Sequence, residues 1–303
     1  MIKLEKNFNI KKDSNLIYND AFLILPQIPN NSIDHCITDP PYNISGYDYK
    51  KEIGWLKSNH YWTDKKNFLK IEESWDKFSD NNYGNFTKLW LNEIFRILKP
   101  NGNIIVFGTY HNIYKIGNML QESNKKIINS IVWFKNNAFP NITQRMLCES
   151  TEYAIWAVNN SQEKAKNWTF NYKELKDINI VKVCDSCKKT LRKIYKYCPY
   201  CGNINLTIKK TQMRNFWEFP STSSSEKING KHPAQKPMRV ISRMILGGTK
   251  EKDIIIDPFM GSGTIPLVSR ILNRRFIGIE KDEKYSKIAY KRLNEKYQLQ
   301  ILD

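Results

Sequence analysis

Short unbroken apolar runs alternate along most of the chain with segments whose apolar residues recur every three or four positions. The first pattern predicts strands and the second helices. Residues 15–20, Asn-Leu-Ile-Tyr-Asn-Asp, predict a short strand ending in an acid, residues 21–25 a short helix, and residues 33–37 a second strand. Over residues 86–98, Leu89, Trp90, Ile94, Ile97 and Leu98 share one face of a predicted helix, and Lys99-Pro100-Asn101-Gly102 stops it. A buried strand over 103–108, a helix over 111–121 and strands over 127–134 and 153–158 follow. Much later, Pro237 suits the first turn of a helix running to about Gly247. A strand over 253–257, a helix over 264–272 and a strand over 275–280 come next. Asp282 caps a last helix with Tyr285, Ile288, Ala289 and Leu293 on its apolar face. Strands alternating with helices predict an α/β fold, a mostly parallel sheet covered on both faces.

Two stretches break the rhythm. Residues 43–84 have no sustained period, are rich in Lys, Asn, Asp and aromatics, contain Trp75-Asp76, and read as a long loop of the kind that borders active sites. Residues 159–231 are strongly basic, hold two Cys-x-x-Cys pairs and read as an inserted module, with residues 221–225 as a flexible linker. The expected division is therefore 1–158, 159–231 and 232–303.

Charge adds a partner. Lys and Arg number 48 against 30 Asp and Glu, a formal charge of +18, which points to a polyanion and first to nucleic acid. The alternative is a lysine-rich compositional bias, since Asn and Ile are abundant too. No apolar run reaches the roughly 18 residues that span a membrane. Residues 1–12 lack the apolar core of a signal peptide, so a cytoplasmic protein with no membrane partner is expected. Six cysteines in such a chain suggest metal binding or buried thiols before disulfides.

Three constellations carry chemistry. Thr38-Asp39-Pro40-Pro41-Tyr42-Asn43 follows a strand, and its two prolines make a stiff elbow displaying a carboxylate, a proline carbonyl and an aromatic ring. Two acceptors and a stacking face are what an exocyclic amine on a nucleobase needs. A plain surface turn is the alternative. Asp257-Pro258-Phe259-Met260-Gly261-Ser262-Gly263-Thr264 joins a strand to a helix through a glycine turn, and Glu280 ends the next strand. Backbone N–H groups at a helix start and an acid one βαβ unit later suit a nucleoside ligand. The Gly-x-Gly-x-x-Gly of NAD sites is absent, and an acid before the turn suits a ligand bearing an ammonium group. Cys184-x-x-Cys187 and Cys198-x-x-Cys201 have the spacing of a four-thiolate zinc ribbon, which leaves zinc no open position and makes its role structural. A reduced or redox-active thiol set is the alternative.

Asp-Pro-Pro-Tyr, the Asp-Pro-Phe-x-Gly-Ser-Gly-Thr turn and His232-Pro-x-Gln-Lys-Pro237 together resemble the DNA amino-methyltransferases of restriction–modification systems. The elbow precedes the cofactor turn, as in the circularly permuted β group, and the resemblance covers residues 13–158 and 212–297. It implies a seven-stranded Rossmann-like sheet, with S-adenosylmethionine as methyl donor. It implies that Asp257, Phe259, Gly261 and Gly263 line the methionine and ribose end, Glu280 holds the ribose hydroxyls and Asp20 lies near the adenine. Lys236 is expected to neutralise the methionine carboxylate or to be a solvated lysine. Asp39 and the Pro40 carbonyl would take the two amine hydrogens, and Tyr42 would stack on a flipped base. The implied reaction is adenine-N6 methylation in DNA. Cytosine-N4 methylation, an RNA substrate and a catalytically silent zinc-ribbon DNA-binding protein are the rivals. Cys36 and Cys148 are not nucleophiles in this scheme. The ribbon either supports DNA contact through Lys188, Lys189, Arg192, Lys193 and Lys196 or is only a structural clip. A cognate restriction endonuclease and a second copy of the chain, forming a homodimer, are the candidate protein partners.

Overall fold

The computed structural model describes residues 4–5, 14–43, 80–141, 144–191 and 195–295. Most of the expected long loop (44–79, with Trp75 and Asp76), as well as Arg192 and Lys193, lies outside the described residues.

The elements run β1 (Leu4–Glu5), β2 (Asn15–Tyr18), α1 (Ala21–Ile24), β3 (His35–Thr38), α2 (Asp80–Ile97), β4 (Asn103–Gly108), α3 (Ile113–Glu122), β5 (Lys126–Phe134) and β6 (Thr151–Val158). They continue through α4 (Tyr172–Ile178), β7 (Ile180–Cys184), β8 (Thr190–Leu191), β9 (Leu206–Lys210) and β10 (Phe216–Glu218). The last are α5 (Met238–Gly248), β11 (Ile254–Asp257), α6 (Thr264–Ile271), β12 (Arg275–Glu280) and α7 (Glu283–Asn294). The main sheet has the order β1-β2-β12-β11-β3-β4-β6-β5-β10. Every neighbouring pair in it is parallel except the two that β6 makes.

Every residue of β3 and β4 is buried, which is why their apolar runs are continuous rather than alternating. The pleat still sorts the side chains. Leu16, Ile37, Ile105 and Phe107 face Ile241 and Ile245 of α5 and Val268 of α6. Ile17, Cys36, Ile104 and Val106 face Trp90 and Ile94 of α2 and Ile116 of α3. Cys36 is thus a core thiol, and burial pushes it well above its ordinary range.

Three expectations change. Seven strands were expected, and the short edge strands β1 and β10 extend the sheet to nine among the described residues. β10 also moves the boundary of the inserted module. Phe216 and Trp217 pair with Val132 and Trp133 of β5, and Trp217 is buried, so the chain has rejoined the core well before residue 231. On the other side α4 packs on α5, where Leu175 leaves no room for a side chain at Gly247. The separate part is the small antiparallel sheet β8-β7-β9. Its stem is pinned where it leaves the core, since the Asn179 side chain donates to Thr211 O at 3.0 Å and Gln212 O at 3.1 Å. Third, the expected linker at 221–225 is anchored. Thr222 donates to the Gln235 carbonyl, and residues 224–227 form a 3-10 turn. Glu226 from that turn accepts the Met238 N–H at 2.9 Å, capping α5, where Pro237 offers no side-chain cap.

Among the described residues no helix is long and apolar enough to cross a membrane.

Candidate active site

The carboxyl ends of the parallel strands converge on one edge of the sheet, and the acids noted above end or follow them. Asp20 follows β2, Asp39 follows β3, Asp257 ends β11 and Glu280 ends β12. This is where open α/β sheets place their ligands. A cavity of about 370 Å³ opens there, lined by Asp20, Asp39, Pro40, Tyr42, Lys236, Asp257, Phe259, Gly261 and Glu280. Ten of the sequence-derived nucleoside and elbow residues were expected at one site, and Gly263 alone is missing from its lining.

Gly263 serves the turn differently. Its φ is +75°, a left-handed conformation, and a Cβ there would lie 2.7 Å from the Ala289 side chain of α7. Glycine lets α6 and α7 close on each other beneath the turn. Arg292, buried on α7, reinforces this by donating to Ser262 O at 2.8 Å and Thr264 Oγ1 at 2.9 Å.

At the turn end, Glu280 accepts the Gly261 N–H at 2.9 Å through Oε2 and the Asp282 N–H at 2.8 Å through Oε1. Burial nevertheless pushes its carboxyl up to about 7. Asp257 accepts the Thr38 hydroxyl at 2.8 Å and the Phe259 N–H at 3.2 Å, and burial outweighs both bonds to push it up to about 8. Asp20 caps α1 by accepting the Phe22 N–H at 2.9 Å. Phe259 packs edge-on against Trp90, with ring centroids 5.6 Å apart. His232 lies over Gly261 and against the Tyr285 ring, and burial holds its imidazole down to about 3, so it is neutral.

At the elbow, Tyr83 of α2 donates to Pro41 O at 2.8 Å and fixes the turn. Tyr42 donates its hydroxyl to Asp39 Oδ1, a contact additional to the stacking role read from its ring. Lys236 is neither solvated nor turned away from the elbow. Its ammonium lies 2.6 Å from Asp39 Oδ2 and 3.3 Å from Glu152, with the side chain only 4% exposed. Burial works against its charge, but Asp39 and Glu152 overcome this and hold it above the ordinary lysine value. Burial likewise raises Asp39, with Lys236 opposing.

Lys135, Glu152, His232 and Gln235 also line the cavity and were not singled out as site residues. Glu152 begins β6, and it reaches this edge because β6 runs antiparallel to its neighbours.

Away from the cavity, the four ribbon cysteines converge. Their sulfurs all lie within 4.8 Å of one another. The two knuckles match: Lys188 N–H donates to Cys184 O at 3.0 Å and Gly202 N–H to Cys198 O at 2.9 Å. Lys188 and Gly202 both take positive φ, +59° and +73°. Apart from the cysteines, only Leu191, Tyr195 and Leu206 form the apolar cluster of this module. Cys148 is exposed and remote from the set.

An edge with an amine-holding elbow beside a nucleoside turn can be compared with known proteins. A family model described as DNA methylase matches residues 33–291. The chain is 35% identical over 294 residues to the type II methyltransferase M2.LlaDCHI of Lactococcus lactis subsp. cremoris, spanning 97% of this chain and 94% of the relative. It is 34% identical to the type II methyltransferase M2.DpnII of Streptococcus pneumoniae, spanning 96% and 94%. The crystal structure of the M1.HpyAVI–SAM complex superposes with a TM-score of 0.55 at 26% identity, over 97% of this chain and all of that one. With the match running through the elbow, β6, the turn and Glu280, the chain belongs to the DNA methylase family and is a DNA methyltransferase.

Proposed function

We propose that the chain transfers a methyl group from S-adenosylmethionine to adenine N6 at a specific DNA sequence. One observation carries this reading: Asp39, Pro40 and Tyr42 wall the same cavity as Asp257, Phe259, Gly261 and Glu280. A methyl acceptor and a nucleoside donor would therefore meet within it.

The wall suits that donor. Each Glu280 oxygen keeps a lone pair for a ribose hydroxyl after accepting one backbone N–H. Gln235 Oε1 is buried in the cavity wall with no hydrogen-bond partner among the described residues, an acceptor ready for an ammonium group. Phe259 and Asp20 border the nucleoside end. The crystal structure of a similar protein holding SAM supports the same ligand here. S-adenosylmethionine supplies an electrophilic sulfonium methyl. The chain supplies position and charge. Asp39 and the Pro40 carbonyl accept the two amine hydrogens, which returns electron density to a nitrogen otherwise delocalised into the ring. The acid at position 39 supports adenine N6 over cytosine N4, where that place is more often serine.

The basic module is assigned to DNA contact, with structural zinc at Cys184, Cys187, Cys198 and Cys201. Zinc–sulfur bonds of about 2.3 Å in a tetrahedron require sulfurs roughly 3.8 Å apart. The 3.5 Å separations of Cys184 from Cys201 and of Cys187 from Cys198 fit that requirement. Lys189 lies 4.1 Å from the Tyr200 ring centroid, and Tyr197 and Tyr200 are exposed beside it.

The test is direct. Protein, labelled donor and plasmid DNA are incubated, and the modified nucleoside is identified after digestion. N6-methyladenine is expected. N4-methylcytosine would replace the assignment, and absence of label in DNA but not RNA would move the substrate.

A further inference from the structure

Four charged side chains from four separate elements form a continuous chain along the elbow end of the cavity. Lys135 follows β5, Glu152 begins β6, Lys236 precedes α5 and Asp39 follows β3. Lys135 lies 3.3 Å from Glu152 Oε1, Lys236 lies 3.3 Å from Glu152 Oε2, and Lys236 lies 2.6 Å from Asp39 Oδ2. None of the four side chains is more than 17% exposed. Tyr42 closes the row by donating to Asp39 Oδ1.

The ammonium of Lys236 has three hydrogens, and three acceptors surround it: Asp39 Oδ2, Ala234 O at 3.2 Å and Glu152 Oε2. Little is left for a donor carboxylate. Asp39 is different. A carboxylate has about four lone-pair sites, and Tyr42 and Lys236 use one on each oxygen, so both oxygens can still accept from an amine. That holds only while Asp39 is ionised, because a protonated carboxyl would present a hydrogen where an acceptor is needed.

We propose that Lys236 and Glu152 are positioning residues of the transfer step. Lys236 keeps Asp39 ionised and turned towards the target amine, and Glu152 holds Lys236 in place. The pair serves the reacting end of the cavity and not the donor's carboxylate. This rests on the reading of Asp39 as the amine acceptor.

Opposing shifts test it. The groups facing Asp39 are Tyr42 on the elbow, Lys236 before α5, Glu152 on β6 with Lys135 behind it, and Asp257 at the end of β11; Tyr83 of α2 faces Tyr42, and His232 faces Lys236. Of the two partners exchanged, Lys236 lowers the Asp39 carboxyl and Glu152 raises it. Single-turnover rates on DNA are measured against pH at saturating donor, with donor affinity measured by calorimetry. Lys236→Met should slow transfer by about a hundredfold or more near neutral pH and move the acid limb of the profile to higher pH. Its donor affinity should stay within about threefold. Lys236→Arg should recover part of the rate. Glu152→Gln should move the acid limb to lower pH, the opposite direction, a response that a general loss of packing would not produce. Unmoved limbs in both variants overturn the proposal. So does Lys236→Met with a normal saturated rate and a donor weakened tenfold or more, because the lysine would then belong to the donor. Product analysis of the wild-type reactions separates the underlying reading: methylcytosine would overturn the adenine assignment while opposite limb shifts still supported the pair.

Discussion

The Thr38 hydroxyl donates to Asp257 Oδ1 at 2.8 Å, tying the strand that leads into the elbow to the strand that leads into the glycine turn. The two halves of the site are thus joined by one buried hydrogen bond between β3 and β11, which pair in parallel at Ile255 with His35 and Ile256 with Cys36.

That bond has a pH consequence. In the unliganded protein burial raises Asp257 from 3.8 to about 8 and Glu280 from 4.5 to about 7. Both acids bind protons more tightly folded than unfolded. Their contribution to stability is therefore full below about pH 4 and is lost as pH rises through 7 to 8. A donor bearing sulfonium and ammonium charges favours the ionised acids, so its affinity should climb across the same window. Thr38→Val removes a bond that lowers Asp257. It should weaken the donor at pH 7 by about tenfold and shift the climb to higher pH. Calorimetric titrations from acid to mildly alkaline pH read both effects, and a flat affinity profile in the wild type would rule them out.

Asp39→Ala should remove methyl transfer by several orders of magnitude while donor affinity stays within about threefold, because only contacts to the amine are lost. Near-normal single-turnover rates in this variant would take Asp39 out of the mechanism.

Glu280 is predicted to make charge-assisted hydrogen bonds to the donor ribose, worth roughly 1.5–3 kcal/mol. Glu280→Ala should weaken donor binding at least tenfold, and unchanged affinity would mean that the acid serves only the Gly261 and Asp282 N–H groups.

Removing one ribbon ligand should separate the module from the core. The apolar residues around the four cysteines are too few to fold it without metal. For Cys198→Ser, no stoichiometric zinc, near-normal donor binding and weaker DNA binding with a shallower salt dependence are expected. Elemental analysis of the wild type comes first, and less than about half an equivalent of zinc would count against the ribbon. Zinc in the wild type with unchanged DNA binding in the variant would leave the ribbon as a clip.

Legibility in sequence followed how local each signal was. Asp20, Asp39, Asp257 and Glu280 could be read because an acid after an apolar run marks a strand end, and strand ends gather at one edge. Glu152 carried the same chemistry but begins its strand. It reaches the site only because β6 runs against its neighbours, a direction that hydrophobic pattern does not encode. Lys236 was legible as a site residue but not as a partner of Asp39, since the partner comes from the opposite half of the chain. Arg292 lies on a helix of mixed polarity, where an arginine reads as solvated, yet it is 1% exposed beneath the turn. Gly263 was legible as a required glycine, but its reason is α7 and not the ligand. β10, three residues long, is too short for any period to announce it.

The stem of the cysteine module enters and leaves the core at paired positions, Ile180 opposite Lys210, with Asn179 fastening Thr211 and Gln212 just outside. To the rest of the molecule such an excursion is equivalent to a hairpin of arbitrary content. Lineages could lengthen, shorten or exchange what lies beyond the stem without disturbing the register of a single strand in the main sheet. Grafting is the laboratory form of the same freedom: two chains that share the stem should be able to trade the material above it as a cassette.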